Sequence, residues 1–132
     1  MCIRDSPDDY HLYFDHWWMS DLATMVLRDR NSPSVLLWSI GNEIGMRLTR
    51  AGAQLSAALS AHVRKLDPGA PGSMRAITSA VPMPGADDAT DAFFAPLDVA
   101  GYNYAFHSYS RDHARVPDRV IVATETVSSP RL

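Results

Sequence analysis

Val35-Leu36-Leu37-Trp38-Ser39-Ile40-Gly41-Asn42-Glu43 opens as an almost unbroken apolar run and closes on a glycine, an amide and a carboxylate. Asn31-Ser32-Pro33-Ser34 bounds it upstream with turn-forming residues. A short apolar run between turn signals suits a strand buried on both faces, as in a parallel sheet flanked by helices. Its polar residues gather at the carboxyl end, where parallel α/β sheets and barrels place their chemistry. One glutamate at the end of a buried strand is ordinary. A second strand of the same kind gives it meaning: Val120-Ile121-Val122-Ala123-Thr124-Glu125 is again an apolar run that delivers a glutamate at its carboxyl end.

Upstream of the first strand, Phe14, Trp18, Leu22, Met25 and Val26 recur at three- and four-residue spacing. That stripe predicts a helix capped by Asp8 or Asp9 and running to about Arg30. Trp17-Trp18 has the rings to stack on a sugar, but Trp18 lies on the stripe and reads as helix packing. Downstream, a second helix is expected from Thr49 to Leu66. Leu48, Gly52, Leu55, Leu59, Val63 and Leu66 mark its buried face, with His62 beside them in a structural position. Asp67-Pro68-Gly69 ends it.

Arg75 to Ala80 reads as the next strand. Val81 to Pro96 reads as a loop with one helical turn around Asp91 to Ala95. Its Asp87, Asp88 and Asp91 read as solvated acids rather than a cation site. Leu97-Asp98-Val99-Ala100-Gly101-Tyr102-Asn103-Tyr104 is the third strand, again polar and aromatic at its end. A short helix within Ser108 to Asp118 precedes the strand that ends at Glu125, and Thr126 to Leu132 begins another loop. Residues 1–7 are left unassigned, and residues 8–132 read as one unit.

Helices and strands thus alternate, which implies parallel strands joined by right-handed crossovers. The two glutamates lie 82 positions apart, three βα units of about 27 residues, against roughly 31 per unit in a complete eightfold barrel. The spacing suits a barrel in which the glutamates end strands three apart.

Composition narrows the field. The 132 residues suffice for one core, and a formal net charge of −3 leaves no basic footprint for nucleic acid. Cys2 is the single cysteine, which excludes an internal disulfide and a cysteine-based metal site. No apolar run approaches the ~18 residues of a membrane span, and the first residues carry no signal-peptide core. Nor does a glycine-rich phosphate loop follow any strand, which counts against a nucleotide-binding domain.

Two carboxylates facing one cleft are the minimum equipment for cleaving a glycosidic bond. One must be protonated to assist the leaving oxygen, and the other ionised to attack the anomeric carbon or activate water. In a close pair, ionising one group disfavours ionising the other, which keeps a proton in the site.

Arg28-Asp29-Arg30-Asn31-Ser32-Pro33-Ser34-Val35, running into Trp38-Ser39-Ile40-Gly41-Asn42-Glu43, closely resembles glycoside hydrolase family 2, the family of β-galactosidases and β-glucuronidases. Asp98-Val99-Ala100-Gly101-Tyr102-Asn103-Tyr104 and Ala123-Thr124-Glu125-Thr126 match its later strands in order. The resemblance covers about residues 8 to 128. It implies a partial (β/α)8 TIM barrel of the α/β class, covering about strands 4 to 7 of the catalytic domain, and a retaining, two-step mechanism. By position, Glu43 would be the acid/base and Glu125 the nucleophile. Asn42 would bind the sugar 2-hydroxyl, Tyr104 would hydrogen-bond the nucleophile, and Asn103 would reach the sugar. Trp38, within its strand, reads as core.

The Gly-Tyr-Asn-Tyr strand end looks most like the β-galactosidase branch, acting on terminal β-D-galactosides. A β-glucuronidase, a β-mannosidase or a non-catalytic carbohydrate-binding remnant of such a barrel are the competing readings. The upstream Arg-Asp-Arg-Asn-Ser-Pro-Ser segment argues against an endo-acting cellulase or mannanase. The expected partner is a β-linked oligosaccharide or glycoside, with no nucleic acid and no membrane, and the parent is compatible with a homo-oligomer. The mechanism needs no organic cofactor. Some family members bind a divalent cation near the acid/base, and no ligand set for one stands out. Strands 1 to 3 and 8 would be missing, so the chain is expected to be a fragment, inactive alone, with its native N-terminus and its compartment undefined.

Overall fold

A computed structural model describes residues 10–69 and 74–126. The proposed helix caps at Asp8 and Asp9, and all but the first residue of the closing loop, lie outside those residues. Helix α1 (His11–Asp29) leads into strand β1 (Leu37–Asn42), followed by α2 (Arg50–Leu66), β2 (Ala76–Pro82), α3 (Asp88–Phe94), β3 (Val99–Asn103), α4 (Tyr109–Arg115) and β4 (Ile121–Glu125). The four strands form one parallel sheet in the order β1-β2-β3-β4. This is an arc of a (β/α)8 barrel, with each crossover helix on one face. No helix among the described residues is long and apolar enough to cross a membrane.

The core lies between sheet and helices. Leu22 and Val26 of α1, Leu59 and Val63 of α2 and Phe93 and Phe94 of α3 meet Trp38 and Ile40 of β1, Ile77 and Val81 of β2 and Tyr102 of β3. All of these are buried, and their burial is the main force that holds the helices on the sheet. Trp18 packs onto this core and stacks on Phe14, while Trp17 stays exposed. His62 is structural: its Nε2 lies 3.1 Å from the Met19 carbonyl and its ring meets Trp18 edge-on. On the opposite sheet face Leu37, Ser39, Val122 and Thr124 are exposed, the face that lines the interior of a closed barrel.

Three expectations need correction. The first strand begins at Leu37 rather than Val35, because the Val35 carbonyl accepts from Arg75 Nε (2.7 Å) instead of joining the ladder. Leu48 is half exposed, since it belongs to the 3-10 turn Gly45–Leu48 that precedes α2. The acidic stretch forms a helix of two turns, because the Asp87 side chain accepts from the Thr90 N–H at 2.8 Å and caps α3. Asp91 is partly exposed, as expected of a surface acid, but it is paired. It takes a bidentate pair from Arg115 (2.5 and 2.8 Å) and a third bond from Arg119 (2.6 Å), tying α3 to the α4–β4 segment.

At the amino ends of the strands, Asp67 Oδ2 accepts from Trp38 Nε1 (2.8 Å) and Arg75 Nη1 (2.9 Å). Arg75 also reaches the Ser32 carbonyl at 3.0 Å, so one ion pair joins α2, β1, β2 and the turn before β1. Burial alone would raise the Asp67 carboxyl, but the bonds from Trp38 and Arg75 outweigh it and hold the group below the ordinary carboxylate value. Its contribution is therefore complete above that ordinary value and fades as acid protonates the folded form. Asp67→Ala strands a largely buried guanidinium (20% exposed). It should cost about 3 kcal/mol, read as a lower urea midpoint at unchanged m-value, with the deficit shrinking in acid.

Candidate active site

The chain leaves each of the first three strands by the same device. Glu43 (φ 52°), Met83 (φ 40°) and Tyr104 (φ 56°) directly follow β1, β2 and β3 and are all left-handed, though none is glycine. Each donates its backbone N–H to the carboxyl-end region of the next strand: Glu43 to the Ala80 carbonyl (2.9 Å), Met83 to Asn103 (3.0 Å) and Tyr104 to Glu125 (2.9 Å). Each is followed by a buried residue, Ile44, Pro84 or Ala105, that returns the chain to the helix layer. A non-glycine residue in this region costs on the order of 1–3 kcal/mol and persists only where its surroundings enforce it. The strain sits along one rim.

Both strands that carry a glutamate are also bulged. Against β2, β1 takes three steps from Ser39 to Asn42 while β2 takes two from Thr78 to Ala80. Against β3, β4 takes two steps from Ala123 to Glu125 while β3 takes one from Tyr102 to Asn103. An extra residue re-aims the side chains beyond it. The Gly41 carbonyl within the first bulge accepts from the hydroxyls of Ser79 (3.1 Å) and Ser39 (3.3 Å). Beyond Glu43, the 3-10 turn crosses the first turn of α2 at Gly52, where a Cβ would lie 2.2 Å from the Met46 carbonyl oxygen. Only a glycine admits that crossing.

All five residues singled out from the sequence come together here. Asn103 is their hub and is fully buried. Its Nδ2 lies 2.9 Å from Glu43 Oε1, 2.9 Å from Glu125 Oε1 and 3.1 Å from Asn42 Oδ1. Because one nitrogen lies 2.9 Å from an oxygen of each glutamate, those oxygens can be at most twice that, 5.8 Å, apart. The other glutamate oxygen, Glu125 Oε2, accepts from the Tyr104 hydroxyl. That bond, then burial and the negative charges of Glu125 and Glu43, raise the Tyr104 hydroxyl above its ordinary value, which keeps it a donor at neutral pH. Behind the site Tyr102 faces the helices, donating to Asp112 at 3.0 Å and stacking on Phe94.

Two features escape a reading of spacing alone. Thr124 Oγ1 donates to Asn103 Oδ1 at 2.6 Å. Its signal in the sequence is only adjacency to Glu125. Met83 occupies the rim position between Glu43 and Tyr104 with its side chain exposed, and no motif marks it. Among the described residues no group of three His, Cys, Asp or Glu side chains could hold a metal ion.

A parallel α/β arc with two close carboxylates at its strand ends is the architecture of barrel hydrolases. Residues 8–109 match the family model for glycosyl hydrolases family 2, TIM barrel domain. The chain belongs to glycoside hydrolase family 2, a family of β-glycosidases. It is 30% identical to the β-galactosidase BoGH2A of Bacteroides ovatus over 96% of its own length and 18% of that protein's. The human β-glucuronidase is 39% identical over 42% of the chain and 8% of the enzyme. A crystal structure of a family 2 member from Bacteroides cellulosilyticus superposes with a TM-score of 0.85 at 44% identity, covering 96% of this chain and 16% of that one. The chain thus spans less than a fifth of the relatives it matches.

Proposed function

We propose that the protein carrying this chain is a retaining exo-β-glycosidase that releases terminal β-D-galactose. The observation that supports it is the shared Asn103 nitrogen, which limits the two glutamate oxygens to 5.8 Å. Retaining enzymes separate their carboxyl groups by ~5–5.5 Å, and inverting ones need ~6.5–9.5 Å to seat a water between them.

In the first step a Glu125 oxygen attacks the anomeric carbon while Glu43 passes its proton to the leaving glycosidic oxygen. The C–O bond to the aglycone breaks, and a glycosyl ester forms on Glu125. In the second step Glu43, now a carboxylate, takes a proton from water as that water attacks the same carbon, and Glu125 leaves as a carboxylate. Two inversions give net retention. Asn42, on the same rim, donates to the sugar 2-hydroxyl. Tyr104 holds one nucleophile oxygen so that the other faces the sugar.

Galactose is favoured because the relative matched over nearly the whole chain is named a β-galactosidase. The β-glucuronidases match shorter stretches, 30% and 42% of the chain, and a β-glucuronide is the second reading. The test is intact mass and peptide mapping of the full-length protein after incubation with an activated 2-deoxy-2-fluoro-β-galactoside, with the glucuronide analogue in parallel. A galactosyl adduct on Glu125 is expected. An adduct on another residue defeats the site assignment, and labelling by the glucuronide alone defeats the sugar.

A further inference from the structure

The side chain of Asn103 is an amide whose two ends are alike in shape and opposite in hydrogen-bonding sense. Which end faces Glu43 and Glu125 decides whether it draws the carboxylates in or repels them. Its Oδ1 is taken by Thr124 Oγ1 at 2.6 Å, and its Nδ2 faces both glutamates at 2.9 Å. We propose that Thr124 is a positioning residue of the hydrolytic site, locking the Asn103 amide so that its NH2 faces the two carboxylates. The inference rests on the reading of Glu43 as acid/base and Glu125 as nucleophile.

Two further observations place Thr124 for this task. It is the residue that the bulge in β4 leaves without a partner on β3, since Tyr102 pairs with Ala123 and Asn103 with Glu125. Its methyl also points to the other side, toward Gly101. A Cβ on Gly101 would come within 2.9 Å of Thr124 Cγ2, so the methyl rests against space that Gly101 leaves open. With the methyl settled there, the hydroxyl is left to face Asn103.

The lock has a chemical purpose. Turned over, the amide would offer Oδ1 to Glu43 as a rival acceptor for the proton that the leaving oxygen needs. The same oxygen would repel the Glu125 carboxylate from its place. The Glu125 charge opposes the flip in the free enzyme, but that charge disappears in the glycosyl ester. There the Glu43 carboxylate, 2.9 Å from the same nitrogen, opposes it instead, and the Thr124 bond favours the working orientation in both states.

The test compares Thr124→Val, which keeps the shape and loses the donor, with Thr124→Ser, which keeps the donor, in the full-length enzyme. Thr124→Val should lower kcat/KM by about 10- to 100-fold, as misplacement of reacting groups does. KM and Tm should stay near wild type, and the loss should be larger for alkyl than for dinitrophenyl β-galactosides. Thr124→Ser should recover most of the rate. A Thr124→Val enzyme as active as wild type overturns the proposal, as does an equal loss in Thr124→Ser or a loss that follows a fall in Tm. A wild-type enzyme that hydrolyses no aryl β-glycoside defeats instead the functional reading on which the proposal stands.

Discussion

Replacing Glu125 by alanine is expected to lower kcat by on the order of 10⁴-fold or more, about 5.5 kcal/mol of barrier, with Tm little changed. Glu125 closes β4 half-buried, and its two oxygens accept from Asn103 Nδ2 and the Tyr104 hydroxyl. Alanine removes the attacking atom while both donors stay in place, facing a void of carboxylate shape and polarity. A small anion should enter that void. Azide added to Glu125→Ala is expected to restore turnover and to yield the α-glycosyl azide, because one displacement inverts the anomeric carbon once. NMR of the product reads the outcome directly. A β-azide, or a variant retaining more than a hundredth of wild-type kcat, would remove Glu125 from the nucleophile's role.

Glu43→Ala should behave in the complementary way. General acid assistance contributes ~10²–10⁴-fold, and it matters only where the leaving oxygen is basic. The loss in kcat/KM should therefore reach that range for lactose-like and alkyl glycosides and nearly vanish for dinitrophenyl glycosides. With an activated substrate the glycosyl ester on Glu125 should accumulate, since no base remains to draw a proton from water. Azide, which needs no base, should discharge it as the β-glycosyl azide after two inversions. The two variants thus give azides of opposite configuration from one substrate. An equal loss across leaving groups would mean that Glu43 supports the site without transferring a proton.

Much of this is legible in the sequence. The apolar runs ending in Asn42-Glu43 and Glu125 gave strand identity and direction, because strands covered by helices cannot hide many polar residues until they emerge. The α1 stripe and the Asp67-Pro68-Gly69 stop were equally plain. What stayed hidden depends on pairing between distant strands. The bulges before both glutamates arise from register, which no local pattern carries, and the left-handed residues are Glu, Met and Tyr rather than the glycines that would announce them. The helix at Asp88–Phe94 shows in the sequence as a single turn because its cap, Asp87, sits in a run of acids that reads as solvent-facing. The bonds of Asn103 to Asn42, Glu43, Glu125 and Thr124 also depend on strand register and have no local sequence signal.

The strained rim also separates two things an enzyme must keep apart. Glu43, Met83 and Tyr104 are joined to the neighbouring strands through main-chain atoms, so the distance between Glu43 and Glu125 is a property of the sheet. The segments beyond them, Gly45–Leu48 after Glu43 and Phe106–Ser108 after Tyr104, start after that distance has been set. Met46, Leu48 and Phe106 in these segments are exposed, so their side chains can differ without moving the two glutamates.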